Sequence, residues 1–148
     1  MKYVNEALSE QKKKQQSPGE DDKSILYNDL DTESSDIDKE YEINKQVFQK
    51  LDSLIRRDEL YLSADLSRED LVRMAHMNNT RFAKMIKENT GTNLSGYINE
   101  LRLNHAIHLL KEHPEYTLRA IAEASGINSM PTFHSLFKNK TGMTPSEF

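Results

Sequence analysis

Lys84 and Lys87 lie three residues apart, so a helix places both ammonium groups on one polar face. Cations in this arrangement can neutralise the phosphates of a nucleic acid. A solvated helix face has the same composition, and for an isolated pair it is the commoner explanation. His134, in a later polar segment, also has two possible roles: its imidazole can donate to a purine N7, or it can simply be hydrated. The interpretation therefore depends on the elements that carry these side chains.

His105, His108 and Glu112 recur at positions i, i+3 and i+7 of one predicted helix, a spacing that can ligate a metal ion. The chain has no cysteine, which excludes a disulfide scaffold, a thiol nucleophile and every Cys-ligated metal site. No second helix supplies an obvious set of further ligands. A metal-dependent helical enzyme is consequently the weakest of the candidate functions, and the sequence predicts no catalytic residue and no cofactor.

Charge divides the chain into two parts. Residues 1–42 contain 6 Lys and 12 Asp or Glu, whereas residues 43–148 are slightly basic, and the whole chain of 148 residues carries a net charge of −4. The first part is rich in Gln, Lys, Asp and Ser and has a Ser-Pro-Gly breaker at 17–19, which predicts a flexible acidic linker or tail. A short helix over 3–14 is the alternative. The remaining length is enough for one folded domain.

No stretch approaches the roughly 18 consecutive apolar residues of a membrane span, and the first residues lack the apolar run of a secretory signal. We therefore expect no membrane contact by this segment. The absence of cysteine permits a reducing cytoplasm, and that is where we expect the domain to act.

A first helical unit is predicted over 67–91. Before it, apolar residues at spacings of three and four predict a core helix that begins at Ile43. Ser67 can then cap a short helix, with Asp70 reaching back to the exposed amides. A three-residue break that ends in Asn78 leads into a further helix, which stops before a glycine.

A long linker helix is predicted over 93–112, and a second unit over 117–142 repeats the pattern of the first. The offset between equivalent positions is 50 before the turn and 51 after it, so the second turn has one extra residue. Asn128 or Ser129 caps its second helix, and Pro131 falls in the first turn, where a missing amide proton costs little. The equivalent pairs are Leu71 and Ile121, Met77 and Ile127, Phe82 and Phe133, Ile86 and Phe137, Lys87 and Lys138, Thr90 and Thr141, and Gly91 and Gly142.

Each unit is a short helix, a turn of three or four residues and a second helix, which is the helix-turn-helix pattern. In that arrangement the first helix braces the second, whose exposed face fits the roughly 12 Å major groove of DNA. A linker of near twenty residues spans about 30 Å, which suits two groove segments one turn apart. Helical hairpins that pack together without DNA show the same kind of repeat, so the repeat alone leaves DNA binding undecided.

A highly specific motif, TGMTPSEF, closes the chain at 141–148. Further motifs are YINELRL at 97–103 followed by Ala106 and Leu109-Leu110, Ile121-Ala122-Glu123 with Gly126, and Phe133 with Phe137-Lys138. Together these residues closely resemble the AraC/XylS family of transcription regulators, over residues 47–148 of the chain.

The resemblance implies an all-α fold of about seven helices, in which a long linker helix joins two helix-turn-helix subdomains. It also implies a monomer on an asymmetric site in double-stranded DNA, about two helical turns long, and contact with RNA polymerase. Carried over residue by residue, the base-facing positions are Asn79, Thr80, Ala83 and Lys84 in the first recognition helix, and Ser129, Met130, Pro131, His134 and Ser135 in the second. Arg81, Lys87 and Lys138 are placed for backbone phosphates.

Several positions depart from the family pattern. Val72, His76 and Ile86 stand where a small residue, a turn glycine and a phenylalanine are usual, which affects the geometry of the first unit. In the second recognition helix Ser135 replaces a frequent arginine, and the apolar pair that begins at Met130 offers few hydrogen bonds. We expect sequence readout there to be weak and to depend on thymine methyl groups and on DNA shape.

Some side chains in the motifs are predicted to be structural. Arg102 in the linker helix more often ties such a helix to a neighbouring carboxylate than touches DNA. Phe133 and Phe137 are expected in the core.

Two broader alternatives stay open. The repeats can form a protein-binding module with degenerate DNA faces, as the apolar start of the second recognition helix suggests. AraC-type regulators usually carry a sensor, so the chain either acts alone or is the output end of a longer sensor protein, membrane-anchored or not, with residues 1–42 as the tether. The linker-like composition of that segment favours a covalently linked sensor.

Overall fold

The structure, a computed structural model, describes residues 26–148, and over these residues the fold is entirely helical. This confirms the predicted all-α class, while the alternative of a helix over 3–14 concerns residues outside the described range. None of the helices in the described part is long and apolar enough to cross a membrane. The elements are α1 (Leu26–Arg57), a 3₁₀ turn (Leu60–Leu62), α2 (Arg68–Ala75), α3 (Asn79–Thr90), α4 (Leu94–Glu112), α5 (Leu118–Ala124) and α6 (Met130–Thr141).

The first helix begins earlier than the sequence predicts. Apolar periodicity indicates a start near Ile43, whereas α1 starts at Leu26, so residues 26–42 of the predicted flexible segment are helical. The buried part of α1, from Asn44 onward, supplies a nucleus, and each further residue adds one backbone hydrogen bond to a helix already formed. Most side chains from 37 to 42 are exposed, which is why an argument from apolar spacing misses this extension.

Side-chain caps set the helix starts as the sequence predicts. Ser67 accepts a hydrogen bond from the Asp70 amide while Asp70 accepts one from the Ser67 amide, each at 3.2 Å, which completes the capping box. The bond from the Ser67 amide lowers the pKa of the Asp70 carboxyl. At α6 the cap is Ser129 rather than Asn128. The predicted caps Asn78 and Thr117 each accept a bond from the first turn of their helix, and Asn93 does the same for α4.

The two helix-turn-helix turns meet the same backbone requirement with different residues. Gly126 has φ +83°, and its equivalent in the first unit, His76, has φ +55°, so both are left-handed. That conformation costs a residue with a Cβ atom about 1–2 kcal/mol. The histidine that stands where a turn glycine is usual therefore keeps the turn in place at the cost of strain.

Replacing His76 with glycine is expected to raise the free energy of unfolding by about 0.5–1 kcal/mol, because relief of the left-handed strain exceeds the extra entropy that glycine loses. Urea denaturation followed by circular dichroism measures the change. His76→Ala keeps a Cβ atom at the same φ and should give no gain. A glycine variant no more stable than the native chain would show that His76 bears no strain.

The linker helix α4 is shared by two separate cores. Its first half packs with α1, α2 and α3, and its second half packs with α5 and α6. Leu101 belongs to the first core and Leu103 to the second, so Arg102 occupies the crossover between them. Phe133 and Phe137 are fully buried in the second core, as predicted, and Phe82 is fully buried in the first.

Candidate nucleic-acid interface

The first helix-turn-helix unit comprises α2 and α3, with α3 as its recognition helix. Phe82, Met85 and Ile86 are buried and hold α3 against the core. Because these residues recur at spacings of three and four, they leave one continuous face of α3 in solvent. This first recognition face consists of the exposed residues Asn79, Thr80, Ala83, Lys84 and Lys87.

The side chain of Arg81 is held by contacts with α1. Its side chain is only 11% exposed, its Nε donates to Asn44 Oδ1 at 3.0 Å, and it lies 3.7 Å from the Glu40 carboxylate. Burial lowers the pKa of Arg81, and the nearby Glu40 charge opposes that shift. These contacts tie α3 to α1, and we therefore expect Arg81 to contribute to stability rather than to the predicted phosphate contact.

Arg68 joins this surface although the sequence gives no sign of it. The residue is exposed at the first position of α2, and its Nη2 donates to the Asn79 carbonyl at 3.3 Å. Its guanidinium also lies 5.5 Å from the centroid of the Phe82 ring. Together with Lys87 it lines a shallow depression that runs to the start of α4. Only the tertiary approach of α2 to α3 reveals this additional cation.

The second unit comprises α5 and α6 and offers a less polar face. Its predicted residues form the second recognition face: Pro131, Ser135 and Lys138 are exposed, whereas Ser129, Met130 and His134 are partly buried.

All three partly buried side chains already have structural contacts. Ser129 Oγ accepts a hydrogen bond from the Thr132 amide at 3.4 Å as the helix cap, and Met130 packs against the second core. The His134 ring lies edge-on to Phe133, with centroids 6.2 Å apart. This face consequently has fewer free hydrogen-bonding groups than the first recognition face.

Within residues 26–148, Arg102 pairs with backbone carbonyls and not with the expected carboxylate. Its Nε donates to the Tyr61 carbonyl at 2.7 Å and its Nη2 to the Ser63 carbonyl at 2.8 Å. Gly126 of the second unit packs against the same segment, since a Cβ atom there would lie 2.7 Å from the Tyr61 oxygen and 2.9 Å from that of Leu62. We call this contact region of residues 61–63, Arg102 and Gly126 the junction.

The row of candidate metal ligands on α4 is not assembled into a site. His105 packs edge-on against the Tyr61 ring at 6.3 Å, and burial lowers its pKa. No group of three or more His, Asp or Glu side chains that could hold a metal ion occurs among the described residues.

Comparison with known proteins identifies the family. A family model described as a helix-turn-helix domain matches residues 71–148, more than half of the chain. The transcriptional regulatory protein YesN of Bacillus subtilis (strain 168) is 40% identical over 76 residues, which are 51% of this chain and 21% of that protein. The HTH-type transcriptional regulator YobQ of the same strain is 32% identical over 85 residues, which are 57% of this chain and 35% of that protein.

A solved structure shares the fold. The C-terminal domain of the two-component response regulator yesN from Fusobacterium nucleatum superposes with a TM-score of 0.61 at 22% identity, covering 69% of this chain and 96% of that one. The chain spans about a fifth to a third of the length of the curated relatives it matches. One linker helix joins two helix-turn-helix units, and the family model matches most of each unit. The chain therefore belongs to the AraC-type helix-turn-helix family of DNA-binding transcription regulators.

Proposed function

We propose that this chain regulates transcription by inserting α3 and α6 into successive major-groove segments of one asymmetric promoter site. The observation that carries the proposal is the pair of recognition faces, exposed on α3 and partly exposed on α6. Each lies on the second helix of a helix-turn-helix unit, and a single continuous helix, α4, joins the two units. Nineteen residues of α4 span about 28 Å, close to the 34–36 Å that separates major-groove segments one turn apart. Side chains on both helices supply the remaining reach.

The two recognition faces contribute differently to DNA binding. On α3, Asn79, Thr80 and Lys84 carry hydrogen-bonding groups for base edges, and Ala83 fits a thymine methyl group. Lys87, the adjacent Arg68 and the equivalent Lys138 on α6 are cations for backbone phosphates, which fix register and make the affinity salt-dependent. Because Met130 and Pro131 contribute few donors, the half-site under α6 is the less stringent of the two.

Selection of duplexes from a random library with the purified chain tests the proposal. The expected result is a bipartite, non-palindromic motif whose two halves lie about ten base pairs apart, with the α3 half more sharply defined. A palindrome, a motif confined to one half-turn or no enrichment at all would each contradict insertion of both helices into one site.

Lys84→Ala is expected to weaken binding to the selected duplex by about fivefold or more and to relax the preference at one base pair. Lys87→Ala is the matched control on the same face, and it should weaken all sequences alike and reduce the slope of log affinity against log salt by about one. Competition binding at several salt concentrations measures both quantities. Equal losses on all sequences for Lys84→Ala would move that residue to the phosphate-contacting group.

The half-buried second recognition face favours one alternative, a protein-binding module with degenerate DNA faces. Such a module would bind DNA without sequence preference, whereas a DNA reader keeps its preference as salt weakens its affinity. The selected duplex and a scrambled duplex, compared at low and high salt, separate the two functions.

In the cell we propose that the domain acts on RNA polymerase and is covalently linked to a sensor or receiver module. The support is that the matched relatives are about three to five times longer than their aligned regions, and that one structural neighbour is named as the C-terminal domain of a response regulator. A promoter-reporter fusion carrying the selected site tests the effect on transcription. Unchanged output on deletion of the site would contradict it.

A further inference from the structure

The junction lies where the two units are joined. Leu101 is buried in the first core and Leu103 in the second, so the side chain between them, Arg102, belongs to neither. Helix α4 is continuous there, and a helix alone bends and twists elastically. The relative orientation of the two units therefore depends on what holds the α4 crossover against the rest of the molecule.

Arg102 makes that contact on one side. Its planar guanidinium donates to two backbone carbonyls of the segment after α1, at 2.7 Å for Tyr61 and 2.8 Å for Ser63. Two bonds from one rigid plane fix its orientation as well as its distance. Burial lowers the pKa of Arg102, yet an arginine keeps its charge at neutral pH, so both bonds remain charge-assisted.

Gly126 completes the contact from the second unit. An added Cβ atom would lie 3.0 Å from Arg102 Nε and closer still to the carbonyls of Tyr61 and Leu62. The turn of the second unit thus packs against the Tyr61 carbonyl, which Arg102 also binds. The segment of residues 61–63 therefore contacts both α4 and the turn of the second unit.

Small changes in angle at this point have large effects at the DNA. Ten helical residues span about 15 Å, so a bend of about 13° at the crossover moves a point at that distance by about 3.4 Å. That displacement equals the rise of one base pair along the duplex. We propose that Arg102 is a positioning residue that sets the separation and rotational phase of the two recognition helices, and thereby the half-site spacing, an inference that rests on the proposed function.

The free protein gives the first test, which is independent of DNA. Residual dipolar couplings of the native chain should fit one alignment tensor for both units. Arg102→Met keeps an apolar stem without donors, and its couplings should require two tensors, with each unit still folded. Glu100→Gln, which removes the ion pair with Lys140 at a position two residues before Arg102 on α4, should keep a single tensor. A single native-like tensor in Arg102→Met would overturn the proposal.

The second test uses the duplex selected with the native chain and versions with one base pair inserted or deleted between the half-sites. The native chain should lose at least about tenfold in affinity on either altered duplex, the cost of misplacing one helix's base contacts. Arg102→Met should discriminate among the three duplexes by no more than about twofold, and Arg102→Lys, which can still reach one carbonyl, should fall between them. A spacing preference equal to that of the native chain would reject the assignment.

These outcomes separate the inference from the function it rests on. A selection without a bipartite motif would contradict two-helix binding, while the dipolar couplings would still report whether Arg102 holds the units in one orientation. If the methionine variant unfolds, the lysine variant carries both tests.

Discussion

Gly126→Ala is expected to lower the free energy of unfolding by about 3–4 kcal/mol and to abolish measurable DNA binding. Two costs add at this position. The backbone has φ +83°, which a residue with a Cβ atom adopts only with strain, and the new methyl group would lie 2.7 and 2.9 Å from two backbone oxygens. Backbone atoms of the 3₁₀ segment cannot move aside as a flexible side chain would. Relief of this steric clash therefore requires the turn of the second unit to move away from residues 61–63.

Gly142→Ala is the matched control for this prediction. Gly142 has φ +80°, almost the same backbone conformation, but an added Cβ atom would meet nothing within 4 Å. Its cost should be the backbone strain alone, about 1 kcal/mol. Urea denaturation and binding to the selected duplex measure both variants. Similar losses for the two alanines would mean that the packing of Gly126 at the junction contributes nothing.

Arg81→Ala is expected to destabilise the chain by about 3 kcal/mol without changing the salt dependence of DNA binding. Asn44 is 1% exposed, and among the residues that the structure describes its amide nitrogen has no hydrogen-bond partner. Loss of the Arg81 donor therefore leaves the whole buried amide unsatisfied. The Glu40 carboxylate loses its ion pair as well. Denaturation measures the stability, and titrations at several salt concentrations, under conditions where the variant is folded, measure the slope.

A second variant shows whether the buried pair explains this loss. Replacing both partners, Arg81→Leu with Asn44→Leu, removes the polar groups together and should recover at least half of the stability lost by Arg81→Ala. Lys87→Ala gives the opposite pattern, with stability unchanged and a slope reduced by about one. A reduced slope in Arg81→Ala would return Arg81 to the phosphate-contacting residues.

Local signals in the sequence predict much of this fold. Ser67 and Asp70 satisfy each other's amides within one helical turn, so their residue types are enough to place the start of α2. The repeat that pairs Phe82 with Phe133 predicts which face of each recognition helix is buried, and the opposite face follows from helix geometry. The exposure of Lys84 and Lys87 agrees with this expectation.

Contacts between distant parts of the chain could not be predicted in this way. Arg81 meets Asn44 across 37 residues and Arg102 meets Tyr61 across 41, and neither partner has a motif that marks it. An arginine on a helix looks the same in sequence whether it faces a phosphate, a buried amide or a carbonyl. Sequence reasoning does not place the start of α1, because most side chains from 37 to 42 are exposed and add nothing to the apolar face that begins at Ile43.

The two cores of the domain share a helix but no buried side chain. Substitutions on the exposed surface of α6 can therefore accumulate without disturbing the packing beneath α3. Under the proposed two-helix binding, a descendant of this protein can acquire a new preference for one half of the site while keeping the ancestral preference for the other. Regulatory networks built on such a domain can diverge one half-site at a time.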